Sequence, residues 1–433
     1  MTRLLSALLL VLCAGSLCAS AVSPSGEVMA ADFGVTADGA APCAAALQRA
    51  IDSLPSGGGV VRLPAGVMAL EKTVTIPQRT VLLGQGDSWE NTTSTFHVRH
   101  RDGPAFRMNS YSAVKGAAVY YPDNLTPEKM EKPDLYDAAF EIAGCNVSLE
   151  YIDIDGAWIG VSTPYPGGAN AGQCYFANIK AFCHWRGFRL SGGLDVNRFE
   201  NVHFFPSRIG PFTEKAYAAH HLIAFDFGRQ DGATFNACFV IGAKCFFRQT
   251  LTARPDANES VISLGYAFTN CWIEAVDCGF DFRGVLGFTV LGCNVLVNKG
   301  GVGIRVLPEA IGFNGVIKDT QIRGFGDGAY TGIDHDYSGI YWKPFYTNKL
   351  TISDCVIQSA SPAIRLGSKA QRVWVKDCLL MGTGEVPAVI IDEGADYIYL
   401  QDNLLQQPGK ARPLLDMSSG ANKVIAGNRT EKL

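Results

Sequence analysis

Charge is scarce in this chain. Only 18% of its residues are Asp, Glu, Lys or Arg, the formal net charge is −4, and the two signs are interspersed. Nucleic-acid binding needs a basic surplus that is missing here, so no nucleic-acid partner is expected. Long apolar runs are missing too. The apolar stretch near the start, Leu4 to Cys13, is too short to span a bilayer, and no membrane span is expected. There is no CxxC pair and no His–Cys spacing of the kind that holds zinc. What is abundant is hydrophobic residues, at 47%, and glycine, with 47 of 433 positions. That composition suits a large buried core reached through many strands and tight turns.

Residues 1–21 read as a cleavable signal peptide. Arg3 supplies the positive start, Leu4 to Cys13 the apolar stretch, and Ala19-Ser20-Ala21 the small-residue cleavage site. The expectation is a secreted or periplasmic protein whose mature part, 22–433, is a single domain. No cysteine follows a lipobox-like residue, so no lipid anchor is expected. Thirteen cysteines in an exported chain first suggest disulfides. Two of them fall in the signal, and five of the rest (Cys238, Cys271, Cys293, Cys355, Cys378) occupy one position of a repeat. That column is expected to be an interior stack of mostly free thiols. Stacked strands about 4.8 Å apart leave an occasional bridge conceivable.

The repeat is clearest from Phe268 to Leu307, FTNCWIEAVDCGFDFRG followed by FTVLGCNVLVNKGGVGIRVL. An apolar residue and a spacer lead to a small polar residue or Gly, then Cys, a β-rich run, a bend, and Gly-apolar-charged-apolar. The small polar position recurs at Asn178, Asn201, Ala237, Asn270, Gly292, Asp319, Asp354, Asp377 and Asp402. Spacings of roughly 22 to 36 residues mark a solenoid of stacked units, here built of strands. The regular rungs are expected over 149–428. Longer spacings mark insertions at 206–232, 250–262 and 325–347. Residues 87–140 are less regular, with an excursion around Pro122, Pro127 and Pro133. The fold expected is all-β, a right-handed parallel β-helix forming a single-stranded solenoid, with a short N-terminal helix capping its open end. Pro42 is expected to open that helix, with Leu47, Ala50, Ile51 and Leu54 on its apolar face.

The N-terminal cap and first rungs, 31–86, carry a set of turns and a helix at fixed places: Asp32-Phe33-Gly34, Asp38-Gly39, Ala46 to Ile51, Gly58-Gly59-Val60, Leu63-Pro64-Ala65-Gly66 and Leu83-Gly84-Gln85-Gly86. This stretch resembles the N-terminus of the pectate-lyase superfamily, the pectin-lyase-like right-handed parallel β-helices. Cys43 departs from it, standing where that family often has an acidic residue. The resemblance implies a polysaccharide substrate laid across one parallel sheet between inserted loops. It implies a lyase or a glycosidase, without distinguishing the two. The motifs of polygalacturonase-type hydrolases (Asn-Thr-Asp, Asp-Asp, Gly-His-Gly, Arg-Ile-Lys) and the Arg-x-x-His-Gly run of some alginate lyases are absent.

Aligning the Gly-apolar-charged-apolar segments gives an outward column Arg189, Asp226, Arg248, Asp281, Arg305, Asp334, Arg365, because alternate strand residues share a face. Its signs alternate at every step. Opposite charges on neighbouring strands attract by roughly 0.2–1 kcal/mol each, so a salt-bridge ladder on an exposed sheet explains the column. A substrate-binding floor explains it as well. Beside it the 325–347 insertion gathers Tyr330, Tyr337, Tyr341, Trp342, Phe345 and Tyr346 with Asp334, His335, Asp336 and Lys343.

The catalytic candidates are therefore Asp334, Asp336, His335 and Asp281, and the substrate-binding candidates Arg283, Arg305, Tyr337, Trp342 and Lys343. Asp334 and Asp336, two apart on one strand, would stand about 6.6 Å apart on one face. An inverting glycosidase needs about 6.5–9.5 Å between its carboxyl groups. His335 would point inward if the alternation held. The run Ile333-Asp334-His335-Asp336 faintly resembles the DPHD motif of alginate C5-epimerases. Lys299, Glu274, His203, Arg208, Glu214, His220 and His221 are further candidates. No cofactor is expected with certainty, although Asp carboxylates could hold Ca²⁺. A non-catalytic glycan-binding or structural surface protein remains the alternative.

Overall fold

The structure is a computed structural model that describes residues 26–86, 93–164, 170–205, 215–249, 263–307, 314–326, 328–336 and 349–431. Strands pair only in parallel, and they pair with the strand one turn of the chain away. Three sheets result. Sheet 1 runs from Glu27–Met29 to Lys423–Ala426, sheet 2 from Asp38–Pro42 to Arg429–Glu431, and sheet 3 from Val74–Ile76 to Leu414–Asp416. Each coil visits the three in that order. The fold is the right-handed parallel β-helix expected from the repeat.

The small polar column of the sequence is the corner between sheets 1 and 2. Asn178, Asn201, Asn270, Asp319, Asp354, Asp377 and Asp402 all hold φ between 50° and 56°. The left-handed region is costly for most side chains, and Asn and Asp tolerate it because their short polar groups bond locally. Gly292 serves the same corner at φ 63°, and Ala237 accepts it at φ 51°. The cysteines that follow these residues turn inward. Cys238, Cys271, Cys293, Cys355 and Cys378 are buried, and all the described cysteines are free.

Inside, equivalent side chains of successive coils stack. Phe176, Phe199, Phe235 and Phe268 form a file on sheet 1 with ring centroids 5.0, 4.7 and 4.5 Å apart. Phe188 and Phe225 continue the packing from sheet 3, their rings 5.5 Å apart. Removing one such ring would cost about 3–5 kcal/mol, the transfer free energy plus the cavity left behind.

Helix α1 (Ala44–Asp52) closes the N-terminal end, with Leu47, Ala50 and Ile51 buried and Leu54 packed against the core. It begins two residues later than the sequence suggests, because Pro42 belongs to the preceding strand. Cys43 caps it without a side-chain bond, and the Ala44 N–H instead donates to a Glu71 carboxylate oxygen at 3.1 Å from the next coil. Gly58, at φ 90°, permits the turn that follows, since a Cβ there would lie 2.1 Å from the Arg79 carbonyl oxygen.

In the sequence, insertions precede and follow the strands of sheet 3. Residues 121–137, with α2 (Pro127–Glu131), and 205–222, with α3 (Tyr217–His221), precede its strands. The segments 163–174, 250–262, 308–313 and 337–348 follow them. The insertion read as 206–232 ends earlier than expected, because Ile223–Phe227 and Gln230–Asn236 are strands. Asn124, in a glycosylation-type triplet, is fully buried and bonds the Gly156 carbonyl at 2.9 Å, so it is no acceptor in the folded chain. No helix among the described residues is long and apolar enough to cross a membrane.

Candidate functional site

The charged column lies in register on the outer face of sheet 3. Arg189 pairs with Asp226, Asp226 with Arg248, Arg248 with Asp281, Asp281 with Arg305, Arg305 with Asp334, and Asp334 with Arg365. The groove expected from the sequence would have this face as its floor.

Register does not make the column a continuous ladder. At its N-terminal end, Asp226 is gripped from both sides. Arg186 Nε donates to its Oδ2 at 2.5 Å, and Arg248 donates through Nε to Oδ1 at 3.2 Å and through Nη2 to Oδ2 at 3.1 Å. The Arg186 guanidinium lies 4.0 Å above the Trp185 ring, and Trp158 stacks on that ring at 5.4 Å and nearly parallel. Tyr217 of α3 leans on Trp158 at 5.5 Å and stacks on His221 at 3.8 Å. Trp185 is thus packed against both Arg186 and Trp158, and the cluster acts as a clamp on Arg186. Burial lowers the Arg186 pKa, against the pull of Asp226 in the other direction. The sequence reading passed over Trp158 and Trp185. The signal was there in the repeated Trp-x-Gly of Trp158-Ile159-Gly160 and Trp185-Arg186-Gly187.

In the middle, Asp281 is only 4% exposed. Its Oδ2 accepts two bonds from Arg283, at 3.2 Å from Nε and 2.9 Å from Nη2. Its Oδ1 is buried with no hydrogen-bond partner among the described residues. Arg283, expected to hold substrate, sits one residue past the strand and bonds Asp281.

Towards the C-terminal end the pairing stops. The side chains of Arg305 and Asp334 form no ion pair or hydrogen bond with any described residue, although they are neighbours in register. Arg365 turns the other way, to Asp392, through Nε at 3.1 Å and Nη2 at 2.7 Å. Burial pushes the Asp334 carboxyl above its usual range, Arg365 and Arg305 pull it down, and Asp336 and Asp392 push it up again.

The remaining candidates divide as follows. The strand Thr331–His335 keeps its alternation to the end, so His335 points inward and is fully buried. Burial takes its pKa down to about 4, and the ring is withdrawn from the groove where a catalytic role was expected. Asp336 lies beyond the strand, which corrects the picture of two carboxylates on one strand face. Its Oδ1 accepts the Lys369 N–H at 3.0 Å, and its carboxylate rests over Gly367, where a Cβ would come within 2.3 Å. It serves the turn of the next coil. Glu274 and His203 lie on sheet 2, away from this face. Tyr337, Trp342 and Lys343, like Arg208 and Glu214, lie outside the described residues. Among the described residues no three His, Cys, Asp or Glu side chains come together as a metal site. Arginines separate the floor carboxylates from one another.

No family model matches the chain, and no curated protein is similar to it in sequence. Solved structures are similar in fold. One is the catalytic unit of a GH87 α-1,3-glucanase from Streptomyces thermodiastaticus, with TM-score 0.55 and 16% identity over 96% of this chain and 70% of that one. Another is the tailspike protein of E. coli bacteriophage HK620, with TM-score 0.59 and 10% identity over 92% and 80%. A third is the pre-mature gene product 12 of bacteriophage phi29, with TM-score 0.57 and 14% identity over 93% and 55%. At such identities the shared property is the parallel β-helix itself.

Proposed function

We propose that this chain is an exported carbohydrate-active enzyme that cleaves a polysaccharide lying over sheet 3, by hydrolysis with inversion at the anomeric carbon. The observation that carries the reading is Asp334, a half-buried carboxyl held above its usual pKa and free of any direct partner among the described residues. A raised pKa favours the protonated form that a general acid towards the leaving glycosidic oxygen needs. The base is assigned to Asp281, whose buried Oδ1 accepts no hydrogen bond from a described residue and would take a proton from an attacking water admitted beside it.

The alternation of signs sets the spacing. Asp281 and Asp334 are two rungs apart, with Arg305 between them. Two rungs of about 4.8 Å bring the backbone separation to about 9.6 Å. That is near the upper end of the roughly 6.5–9.5 Å used by inverting enzymes, whereas retention needs about 5–5.5 Å, the spacing of adjacent rungs. Arg305 would bind the substrate between the two carboxyls. The similar structures support the substrate class: one is an α-1,3-glucanase, and the HK620 tailspike is known in complex with a hexasaccharide.

Arg305, without a bonded partner among the described residues, favours a second reading, β-elimination on a uronate, in which a guanidinium neutralises the sugar carboxylate. Incubation with a panel of neutral and uronate polysaccharides separates the two. New reducing ends without ultraviolet absorbance mean hydrolysis, and absorbance from an unsaturated uronate means elimination. Retention of a glycan with neither product would replace both by a binding protein.

A further inference from the structure

Two cysteines stand apart from the interior stack. Cys245 and Cys278 form, with Ile223, a small apolar cluster separate from the main core. They lie on sheet 3, in the strands Phe239–Gln249 and Trp272–Phe282. The alignment of those strands sets Cys245 beside Cys278 and Arg248 beside Asp281. The thiols are therefore three residues from the charged floor, on adjacent coils. They are 4% and 8% exposed. Each thiol also reaches a carbonyl on its own strand, Cys245 Sγ to Phe247 at 3.2 Å and Cys278 Sγ to Phe280 at 3.5 Å.

Paired strands about 4.8 Å apart fall inside the Cα separation of roughly 4.4–6.8 Å that a disulfide spans. The interior thiols share that spacing but not the access. Cys238, Cys271, Cys293, Cys355 and Cys378 are at most 2% exposed and lie inside the coil. Cys145 is more exposed but lies outside the strands, so among the strand cysteines an oxidant from solvent reaches Cys245 and Cys278 first.

We propose that Cys245 and Cys278 are a disulfide-forming site on the groove floor, closed by a small disulfide oxidant such as oxidised glutathione. One cysteine thiolate attacks the oxidant's sulfur and releases one glutathione thiolate. The partner thiolate then attacks the mixed disulfide and releases the second. Two S–H bonds are lost, one S–S bond forms, the two protons leave to solvent or to the departing thiolates, and the two electrons reduce the oxidant. The bridge ties the coil that carries Arg248 to the coil that carries Asp281. A cross-link between coils constrains the unfolded chain and holds the floor together. The proposal rests on the thiol geometry and stands whether or not the groove is catalytic.

The test uses the folded, full chain after reduction and removal of the reductant. Titration with oxidised glutathione is expected to remove the thiols of Cys245 and Cys278, beside any mixed disulfide at the more exposed Cys145, and peptide mapping to join the Cys245 peptide to the Cys278 peptide. Tm should rise and return when dithiothreitol is added. Cys278→Ser should instead leave Cys245 as a mixed disulfide with glutathione, without a cross-link and without the rise in Tm. A wild-type chain that keeps all its thiols while folded overturns the proposal. So does a cross-link among interior cysteines in place of this pair, or an equal oxidative rise in Tm in the Cys278→Ser chain.

Discussion

The two ends of the groove floor use the same residue types to opposite effect. Towards the N-terminal end, Arg186, Asp226 and Arg248 are locked together, and Trp185 and Trp158 hold Arg186 in place. Towards the C-terminal end, Arg305 and Asp334 face each other with neither bonded to a described side chain. Desolvation is common to both ends, but only at the first is it compensated by hydrogen bonds. A buried charge with full partners is part of the architecture. A half-buried carboxyl without them is held in a higher-energy state, and such groups concentrate where chemistry is done. Under the proposed function, one end would serve stability and the other turnover, and substitutions can test that division.

The largest effect is expected from Asp334→Asn. It would remove the proposed proton donor while keeping the shape, and turnover on a responsive polysaccharide should fall by about 10²–10⁴-fold with Tm little changed. Unchanged turnover would remove Asp334 from the mechanism. The matching change at the other end is Arg186→Ala. It strips a nearly enclosed cation from Asp226, leaving Arg248 as the remaining partner, and should cost about 3 kcal/mol of stability in a denaturant titration. Activity per folded molecule should survive better than in Asp334→Asn. If Arg186→Ala proved neutral in stability, the clamp formed by Trp158 and Trp185 would have no structural meaning.

Much of this floor could be read from the order of the residues. Alternation along a strand, applied rung by rung, predicted the registered column from Arg189 to Arg365, because a one-residue slip would bury every charge. The Asn and Asp residues that marked the rungs did so for a backbone reason, the left-handed corner. Which charges join was not legible. Arg365 has Asp334 on one side in register, and its side chain reaches instead to Asp392 on the coil beyond. A long side chain chooses among several carboxylates by geometry that a linear pattern does not carry. The same limit applies to Asp336, whose spacing from Asp334 suggested a pair, while the end of the strand sends its carboxylate to the Lys369 N–H.

Acid should act from beneath the partnerless end. His335 is buried neutral, with its pKa moved from 6.5 down to about 4 by desolvation. The unfolded chain then binds the proton more readily than the folded one between those two values. Stability from this group is fully present above pH 6.5 and is lost as pH falls towards about 4, at most about 3 kcal/mol for the whole shift. His184 and His203 move in the same direction, each to about 4, and add to the slope. His335→Leu should flatten the pH dependence of Tm by the share that His335 contributes. A slope unchanged by that substitution would mean that the ring is already charged in the folded state.

The smallest change in stability is expected from Arg305→Ala, and that is its value. A side chain without a bonded partner has little to lose, so stability should stay within about 0.5 kcal/mol. If Arg305 binds substrate between the two carboxyls, KM rises while Tm holds. Arg365→Ala is the control from the same column. It breaks a solvent-facing pair with Asp392, of the kind that contributes about 0–1 kcal/mol, and should leave KM alone. Should the two substitutions behave alike in both measurements, the difference between a bonded and a partnerless arginine would not govern what this floor does. The column would then be a surface ladder along its whole length.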